Sequence, residues 1–244
     1  MPHGHFNYLP LSPLAFGALA ALFVALVALL QVGLLRLAYV RLGVSPRAAT
    51  LLLLASLFGS YINIPLFQLS QEQVLSGREV VVFGMVYVVP EVVDWPGTIV
   101  AVNVGGALIP LALSLYLVIR RRIWLRGIVA TLGVGLISHA LARPVPGVGI
   151  AVPVFLPPLA ATLVALLLSR RDIAPLAYVG GSMGTLLGAD LLNLGRIRGL
   201  GAPVASIGGA GAFDGVFVTG IVAVLIASVA FPPPRARRAG PWER

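Results

Sequence analysis

Two acidic residues, Asp190 and Asp214, lie within or directly beside long apolar runs of the chain. Asp190 falls inside an apolar run, where an ionisable side chain is costly and usually faces the interior of a helix bundle. Asp214 directly precedes the run that begins GVFV. There an aspartate caps a helix N-terminus or, kept ionised by the helix, acts as a base. The structural alternative for Asp190 is a salt bridge to Arg143, Arg196 or Arg198.

Other polar side chains accompany these acids within or beside apolar runs. The candidates for orienting water or a substrate are His139, Asn193, Asn103, Asn63 and Arg143. Two aspartates and one histidine suffice to bind a divalent ion, but their spacing matches no metal-ligand motif. The sequence therefore implies no metal and no other cofactor.

A glycine-rich stretch, RIRGLGAPVASIGGAGAFDG, leads into Asp214. Glycines permit positive φ angles and close approach of the backbone. Such a loop before a helix forms either an anion-binding nest or an apolar re-entrant turn. The candidate backbone groups are Gly208, Gly209, Gly211 and Gly215. The stretch does not match the P-loop pattern, which argues against nucleotide binding.

The composition determines the class of protein. Hydrophobic residues make up 59% of the 244 residues and charged residues only 10%, with a mean hydropathy of +1.00. Soluble domains carry about 25% charged residues, so this chain cannot cover its own surface in water. The absence of cysteine excludes disulfides, thiolate nucleophiles and cysteine-based metal sites. We predict a multi-pass protein of the plasma membrane.

Apolar runs near the length that crosses a bilayer, about 20 residues, occur seven times. They cover residues 12–35, 48–69, 97–119, 127–142, 153–169, 173–194 and 215–232. These runs predict an all-α polytopic bundle of about seven transmembrane helices, in a single domain over 1–244. The expected loops are 70–96, 143–153 and 195–214 outside, with a basic cytoplasmic tail at 233–244.

The arginines predict the orientation. All 17 basic residues are arginines, and 13 of them follow the first, third and fifth spans or lie in the tail. Because arginine-rich loops stay in the cytoplasm, the N-terminus is predicted outside and the C-terminus inside. Short basic clusters between apolar runs indicate loops beside the lipid bilayer, and no nucleic-acid partner is expected.

In this orientation the polar candidates fall at one depth. The residues that lie toward the outer ends of their spans are Asn63, Asn103, His139, Asp190, Asn193 and Asp214. We infer a water-accessible cavity that opens outward or lies within the outer leaflet.

Two outer loops carry local signals. Residues 70–96 contain β-branched runs on both sides of Phe83 and Gly84, which predicts a small extracytoplasmic β-hairpin or an apolar loop in the interface. Five prolines in residues 143–158 are incompatible with one continuous helix. They predict a surface-lying or re-entrant segment.

The sixth span contains a stripe of small residues. Gly180, Gly184 and Gly188 form two overlapping G-x-x-x-G steps. Such steps let the backbone of another helix approach closely.

Four stretches together resemble an uncharacterised family of prokaryotic polytopic membrane proteins, known only as a domain of unknown function. They are NVGGALIPLALSLYL, HALARPVPGVGIAVP, LLGADLLNL and IGGAGAFDGVFVTGI, within residues 80–230. This resemblance implies a polytopic architecture and no particular chemistry.

The placing of the two acids is also similar to the GxGD intramembrane aspartyl proteases, the presenilin and signal-peptide-peptidase group. In that family one aspartate of the sixth span and one at the glycine-rich entrance to the seventh form a catalytic dyad. The resemblance implies that role for Asp190 and Asp214. Ala189 stands where the family has tyrosine, and Phe213 stands where it has the last glycine of its motif.

Three functions follow as hypotheses. The first is a membrane-embedded aspartyl hydrolase that uses Asp190 and Asp214 on a transmembrane peptide. The second is a proton-coupled transporter or permease for a small polar solute, with those acids, His139 and Arg143 lining an outward-facing site. The third is a structural membrane protein whose acids are helix caps and salt bridges.

Overall fold

The computed structural model describes residues 21–22, 24–25, 42–70, 72–82, 85–146, 149–209 and 215–230. Within these ranges the helices are α1 (Pro46–Gly59), α2 (Ile109–Arg121), α3 (Trp124–Leu141), α4 (Leu156–Leu168), α5 (Ile173–Thr185) and α6 (Gly215–Ala230). The strands are β1 (Asn63–Gln68), β2 (Glu72–Val82), β3 (Met85–Trp95), β4 (Ile99–Asn103), β5 (Arg143–Val145), β6 (Gly149–Ala151) and β7 (Val204–Ile207). The first predicted span, 12–35, lies almost wholly outside the described residues.

A serine and several prolines mark where helices begin. Ser45 precedes α1 in an extended conformation, and its Oγ accepts a hydrogen bond from the amide of Ala48 at 3.3 Å. Pro110 and Pro157 lie in the first turns of α2 and α4. A proline is tolerated there because a first-turn amide has no partner within the helix.

The second and third predicted spans are wrong in their outer parts. α1 ends at Gly59, so the end of the predicted span 48–69 is the strand β1. The predicted span 97–119 begins as β4, passes through a π-helical turn at Val104–Leu108, and only then becomes α2. An all-α fold is therefore also wrong, since the chain is mainly helical with added strands. Short apolar runs fit a strand as well as a helix, and pairing with a distant strand decides between them.

β1, β4 and β7 form a three-stranded sheet with β4 in the middle. β4 runs antiparallel to β1, with Asn63 opposite Asn103, and parallel to β7, with Val102 opposite Ile207. Main-chain hydrogen bonds thus attach the glycine-rich region to a strand far earlier in the chain.

The β-hairpin predicted within residues 70–96 is confirmed, and its extracytoplasmic side stays a prediction. β2 and β3 pair over 11 residues each, from Glu72 opposite Trp95 to Val82 opposite Met85. The proline-rich stretch is likewise not one helix, because it forms the short β5–β6 hairpin and then α4.

α5 is the central helix of the bundle. Each of its residues except Met183 is buried, and it packs against α2, α3, α4 and α6. Beyond Thr185 the helix continues as a π-helical turn, Leu186–Asp190, and then as a 3-10 segment, Leu191–Arg196. Asp190 therefore lies where the regular α-helical hydrogen bonding has ended.

The glycine stripe makes the predicted close approach, and its partner is α3. A Cβ atom on Gly184 would lie 2.6 Å from the Cβ of Val134, which real side chains do not allow. A Cβ atom on Gly188 would overlap the carbonyl oxygen of Gly135. The two backbones meet most closely where Gly188 faces Gly135, because neither residue has a side chain.

The outer faces of the helices are strongly apolar. Two described helical stretches, Val104–Arg121 and α3, are long and apolar enough to cross a membrane. Leu167, Leu125 and Leu136 are 86%, 75% and 68% exposed. Apolar surface of this extent points to a nonaqueous environment, and both observations indicate a membrane-associated protein.

Candidate functional site

Asn103 is fully buried at the end of β4, and its side-chain amide makes three hydrogen bonds. Its Nδ2 donates to the carbonyl oxygen of Ser60 at 2.8 Å and to Oδ1 of Asn63 at 3.1 Å. Its Oδ1 accepts from the amide of Gly106 at 2.7 Å, which caps the π-helical turn. Asn103 therefore joins the end of α1, the sheet and the start of the next helix.

Ser206 on β7 extends this cluster and was not among the predicted site residues. Its Oγ lies 2.6 Å from Oδ1 of Asn63 and 2.6 Å from the carbonyl oxygen of Gly209. A hydroxyl has one proton and donates to one acceptor at a time. Only the parallel pairing of β4 with β7 brings Ser206 to Asn63, and no local sequence signal indicates it.

Asp190 is held by the glycine-rich loop that follows β7. Its Oδ2 accepts a hydrogen bond from the amide of Gly208 at 2.7 Å. The glycine-rich loop therefore donates a backbone amide to the protein's own Asp190 carboxyl group.

Gly208 must be glycine for two reasons. Its φ is +88°, a left-handed conformation that side chains other than glycine rarely adopt. A Cβ atom there would lie 2.6 Å from the amide nitrogen of Ala107. Gly209 follows with φ +90°. The two glycines turn the chain tightly against the π-helical turn and aim the amide at Asp190.

A pocket of about 280 Å³ lies beside Asp190. Asp190 and Ser206 contribute the polar side chains of its wall, and Gly149, Ile150 and Gly209 belong to the same lining. The pocket thus places one carboxylate and one hydroxyl beside a space large enough for a small polar group and water.

The expected salt bridge to Asp190 does not form. Within the described residues, Arg143, Arg196 and Arg198 all lie farther than 4.0 Å from its carboxylate. Arg143 is an exposed residue of β5, and no contact joins it to Asp190. Its predicted role beside the acid has no support in the described geometry.

Asn193 makes hydrogen bonds to neighbouring groups of its own segment, and its substrate-orienting role stays a prediction. It is fully buried, and its Nδ2 donates to the carbonyl oxygens of Gly188 at 2.7 Å and Ala189 at 3.0 Å. Its Oδ1 accepts from Nη1 of Arg196 at 3.2 Å. These bonds attach the Asn193 side chain to the π-helical turn that carries Asp190.

His139 lies in the last turn of α3 and is half-buried. Its Nδ1 is buried and has no hydrogen-bond partner among the described residues. Within the described part of the chain, no hydrogen bond joins it to the Asn63–Asn103–Ser206 cluster or to Asp190. The only argument for His139 as a site residue is the depth predicted for it from the sequence.

Two predicted site residues, Asp214 and Gly211, lie outside the described part of the chain. Gly215 is the first residue of α6, and a Cβ atom there would meet nothing within 4 Å. The close backbone approach expected at Gly215 is therefore not found, in contrast to Gly208.

α5 and α6 pack against each other in antiparallel orientation. A Cβ atom on Gly220 would overlap Oγ of Ser182, which shows that the two helices cross there. Leu186, after Ser182 on the chain, shares a buried cluster with Val216, which comes before Gly220. The end of α5 and the beginning of α6 therefore lie on the same side of the crossing.

The depths of Asp190 and Gly215 follow from this crossing. At about 1.5 Å per residue, Asp190 lies about 12 Å beyond Ser182, and Gly215 lies about 8 Å from Gly220. The two positions thus differ by only about 4 Å in depth. The beginning of α6 at Gly215 therefore lies near the level of Asp190.

Comparison with known proteins agrees with the sequence resemblance. No curated protein and no solved structure matches the chain. One family model matches residues 57–226, and its description is a protein of unknown function (DUF1614). The matched region covers more than half of the 244 residues and includes Asn63, Asn103, Asp190 and Ser206. The chain therefore belongs to the DUF1614 family of proteins of unknown function.

Proposed function

We propose that this protein is a membrane-embedded aspartyl hydrolase in which Asp190 and Asp214 act as a pair. The hydrogen bond from the Gly208 amide to Oδ2 of Asp190, at 2.7 Å, carries the proposal. Gly208 begins the short glycine-rich stretch that ends at Asp214. One end of that stretch is thus fixed at the Asp190 carboxylate.

The packing of α5 and α6 supports the pairing from the other end of the stretch. Asp214 is bonded to Gly215, and neighbouring Cα atoms lie about 3.8 Å apart. Gly215 lies within about 4 Å of Asp190 in depth, by the rise per residue of the two helices. A depth of Gly215 close to that of Asp190 is compatible with the proposed pair.

A carboxyl pair of this kind performs hydrolysis by acid and base catalysis. Two neighbouring carboxyls in a low-dielectric site share one proton, because ionising both is costly. The ionised group takes a proton from water as the water oxygen bonds to the peptide carbonyl carbon, and the protonated group gives its proton to the carbonyl oxygen. Collapse of the resulting diol breaks the C–N bond, and a carboxyl proton passes to the departing nitrogen.

The pocket beside Asp190 provides room for this reaction. The Gly208 amide holds Oδ2 and leaves Oδ1 for water or the partner acid. Ser206 adds a hydroxyl to the same wall. We propose that the substrate is a transmembrane peptide, because the helices of this protein have strongly apolar outer faces.

Reconstituted protein tests the activity. Wild type in liposomes is incubated with a transmembrane peptide library, and new termini are detected by mass spectrometry. Asp190→Asn and Asp214→Asn each reduce cleavage by at least about 10²-fold, the lower range for general acid–base groups. Asp172→Asn, an acid at the opposite end of α5, serves as the matched control and keeps wild-type cleavage. Full cleavage by both asparagine variants rules out the pair.

A cross-linking experiment tests the geometry without a known substrate. The chain has no native cysteine, so the double variant Asp190→Cys/Asp214→Cys contains only the two thiols of interest. A disulfide needs Cα atoms about 4.4–6.8 Å apart. Rapid disulfide formation with a mild oxidant is expected. Absence of the bond, while a Leu186→Cys/Val216→Cys control forms one, contradicts a carboxyl pair.

A second candidate function is proton-coupled transport of a small polar solute. The break in α5 at Asp190 favours it, because interrupted helices commonly form the binding sites of transporters. The pocket of about 280 Å³ is the size of a small solute site. Uptake into liposomes driven by a proton gradient tests this function. Transport that survives Asp190→Asn excludes Asp190 as its proton-carrying group.

We further propose the seven-span topology with the N-terminus outside. Asp172 and Asp190, at the two ends of the sixth span, lie about 27 Å apart along the helix axis, close to the bilayer core of about 30 Å. A membrane-impermeant thiol reagent labels Arg198→Cys in intact cells and labels Arg171→Cys only after permeabilisation. The reverse pattern overturns the orientation.

A further inference from the structure

Five arginines surround a basin at the end of the bundle opposite Asp190. The basin has a volume of about 620 Å³. Its charged residues are Arg120, Arg121, Arg126, Arg170, Arg171 and Asp172. Five positive groups and one negative group give a net charge of +4. This "basic basin" is shaped and charged for an anion.

The acid in the basin neutralises little of this charge. Asp172 lies 3.8 Å from Nη1 of Arg126, which also bonds Oγ of Ser169 at 3.4 Å. No described acid lies within 4.0 Å of Arg120, Arg170 or Arg171. Three guanidinium groups thus lack an acidic partner within the described residues.

An apolar groove of about 820 Å³ runs between α1 and α2. One wall includes Ala48, Leu52 and Ala55 of α1, and the other includes Ala112, Leu113 and Tyr116 of α2. The α1 positions are four and three residues apart, and Ala112 and Tyr116 are four apart, so each helix presents one face to the groove. The lining of this "apolar groove" is mainly apolar, which suits a hydrocarbon chain.

Arg120 lines both the apolar groove and the basic basin. Its Nη1 donates to the hydroxyl of Tyr116, one turn earlier on α2, and its guanidinium lies 5.5 Å from the centre of the Tyr116 ring. A guanidinium has five N–H donors, so most remain for a ligand. Tyr116 therefore holds a cation at the point where the two spaces meet.

The dimensions match one leaflet of a bilayer. From Ile109 to Arg120 the groove wall on α2 extends about 16 Å, and half of the hydrocarbon core is about 15 Å thick. The N-terminus of α1, capped by Ser45, borders the groove at its arginine end. The partial positive charge of that helix end adds to the field of the arginines.

We propose that the apolar groove and the basic basin together bind one anionic phospholipid. The phosphate lies on Arg120 and the arginines of the basin, and an acyl chain lies along the groove toward Ile109. Because Arg120 belongs to both spaces, the site fits an amphiphile with an anionic head better than a free anion. The site is separate from the Asp190 pocket and does not depend on the proposed hydrolase.

Lipid titration of the purified full-length protein in neutral detergent tests the site. The probes are dioleoyl phosphatidylglycerol, dioleoyl phosphatidylcholine with the same chains, and inorganic phosphate. Bound lipid is counted by native mass spectrometry, and the thermal midpoint is followed in parallel. Phosphatidylglycerol is expected to bind at least about tenfold more tightly than phosphatidylcholine, the effect of one charge-assisted contact. Inorganic phosphate is expected to neither compete nor raise the midpoint.

Three variants locate the site. Arg120→Gln removes the shared cation and is expected to abolish the preference for phosphatidylglycerol. Ala112→Phe fills the groove from an exposed position and is expected to weaken phosphatidylglycerol binding by about tenfold, the effect of lost apolar burial. Arg198→Gln changes an exposed arginine at the other end and should bind as wild type.

Four outcomes overturn the proposal. Equal binding of the two lipids by wild type rules out recognition of the head group. Full competition by inorganic phosphate assigns the basin to a free anion. Equal losses of phosphatidylglycerol binding in Arg120→Gln and Arg198→Gln would mean that only the overall charge matters. Unchanged binding by Ala112→Phe would mean that the groove does not hold the acyl chain.

Discussion

The amide nitrogen of Gly208 lies 2.7 Å from Oδ2 of Asp190, and this bond joins the end of the central helix to the glycine-rich loop. Gly208 is buried and presses against the π-helical turn before α2, while Asp190 ends the π-helical turn after α5. Two irregular helix ends and one loop are therefore fixed to each other by one carboxylate.

Substitution of Asp190 tests how much stability that bond contributes. Asp190→Ala removes the acceptor and leaves the buried Gly208 amide without a partner, so the free energy of unfolding should fall by about 1–3 kcal/mol. Asp190→Asn keeps an oxygen acceptor and should retain most of that stability. Thermal unfolding in detergent, followed by circular dichroism, gives both values. Equal losses in the two variants would contradict a stabilising role for the bond.

Asn103 should be the most sensitive polar residue of the sheet. Asn103→Ala leaves the Gly106 amide and the Ser60 carbonyl without this partner, and we expect a loss of about 2–5 kcal/mol for two buried groups. Gln68→Ala is the matched control, because that exposed amide makes one bond, to the Pro96 carbonyl at 2.9 Å. Chemical unfolding should place the control within about 1 kcal/mol of wild type. A small effect at Asn103 would refute its bridging role.

Alanine substitutions of Gly188 and Gly195 differ in helix packing, so comparing the two variants measures its contribution to stability. Gly188→Ala drives a methyl group into the Gly135 carbonyl oxygen, and overpacking of this kind costs about 1–3 kcal/mol or more. Gly195→Ala adds the same methyl group where nothing lies within 4 Å. It should be neutral or slightly stabilising in the thermal assay. The packing argument fails if both variants unfold at the same temperature.

Alanine substitutions of Gly208 and Gly149 distinguish the cost of backbone strain from the cost of a steric clash. Both have positive φ, +88° and +118°, but only Gly208 would bring a Cβ atom against Ala107. Each alanine variant bears the cost of a disfavoured φ, about 1–3 kcal/mol, and Gly208→Ala adds the clash. Gly208→Ala should therefore be the less stable variant and should also lose any activity that depends on Asp190. Equal stability would mean that the loop moves freely away from Ala107.

Several elements followed directly from local patterns. The predicted spans 127–142, 153–169 and 215–232 agree with α3, α4 and α6 to within three residues at each end, because long apolar runs flanked by arginine or proline have few alternative structures. The outer hairpin followed from β-branched runs on both sides of a glycine. The close approach at Gly184 and Gly188 followed from small residues at four-residue spacing.

The sequence by itself determined the apolar class of the protein, the starts of most helices and the residue types available for chemistry. Only the tertiary structure decided that residues 63–68 and 99–103 are strands, because apolar residues fit either conformation until a partner strand is present. It alone brought Ser206 to Asn63 and the Gly208 amide to Asp190. Backbone amides are the same at every position, so no local pattern can show which one a distant carboxylate will bind.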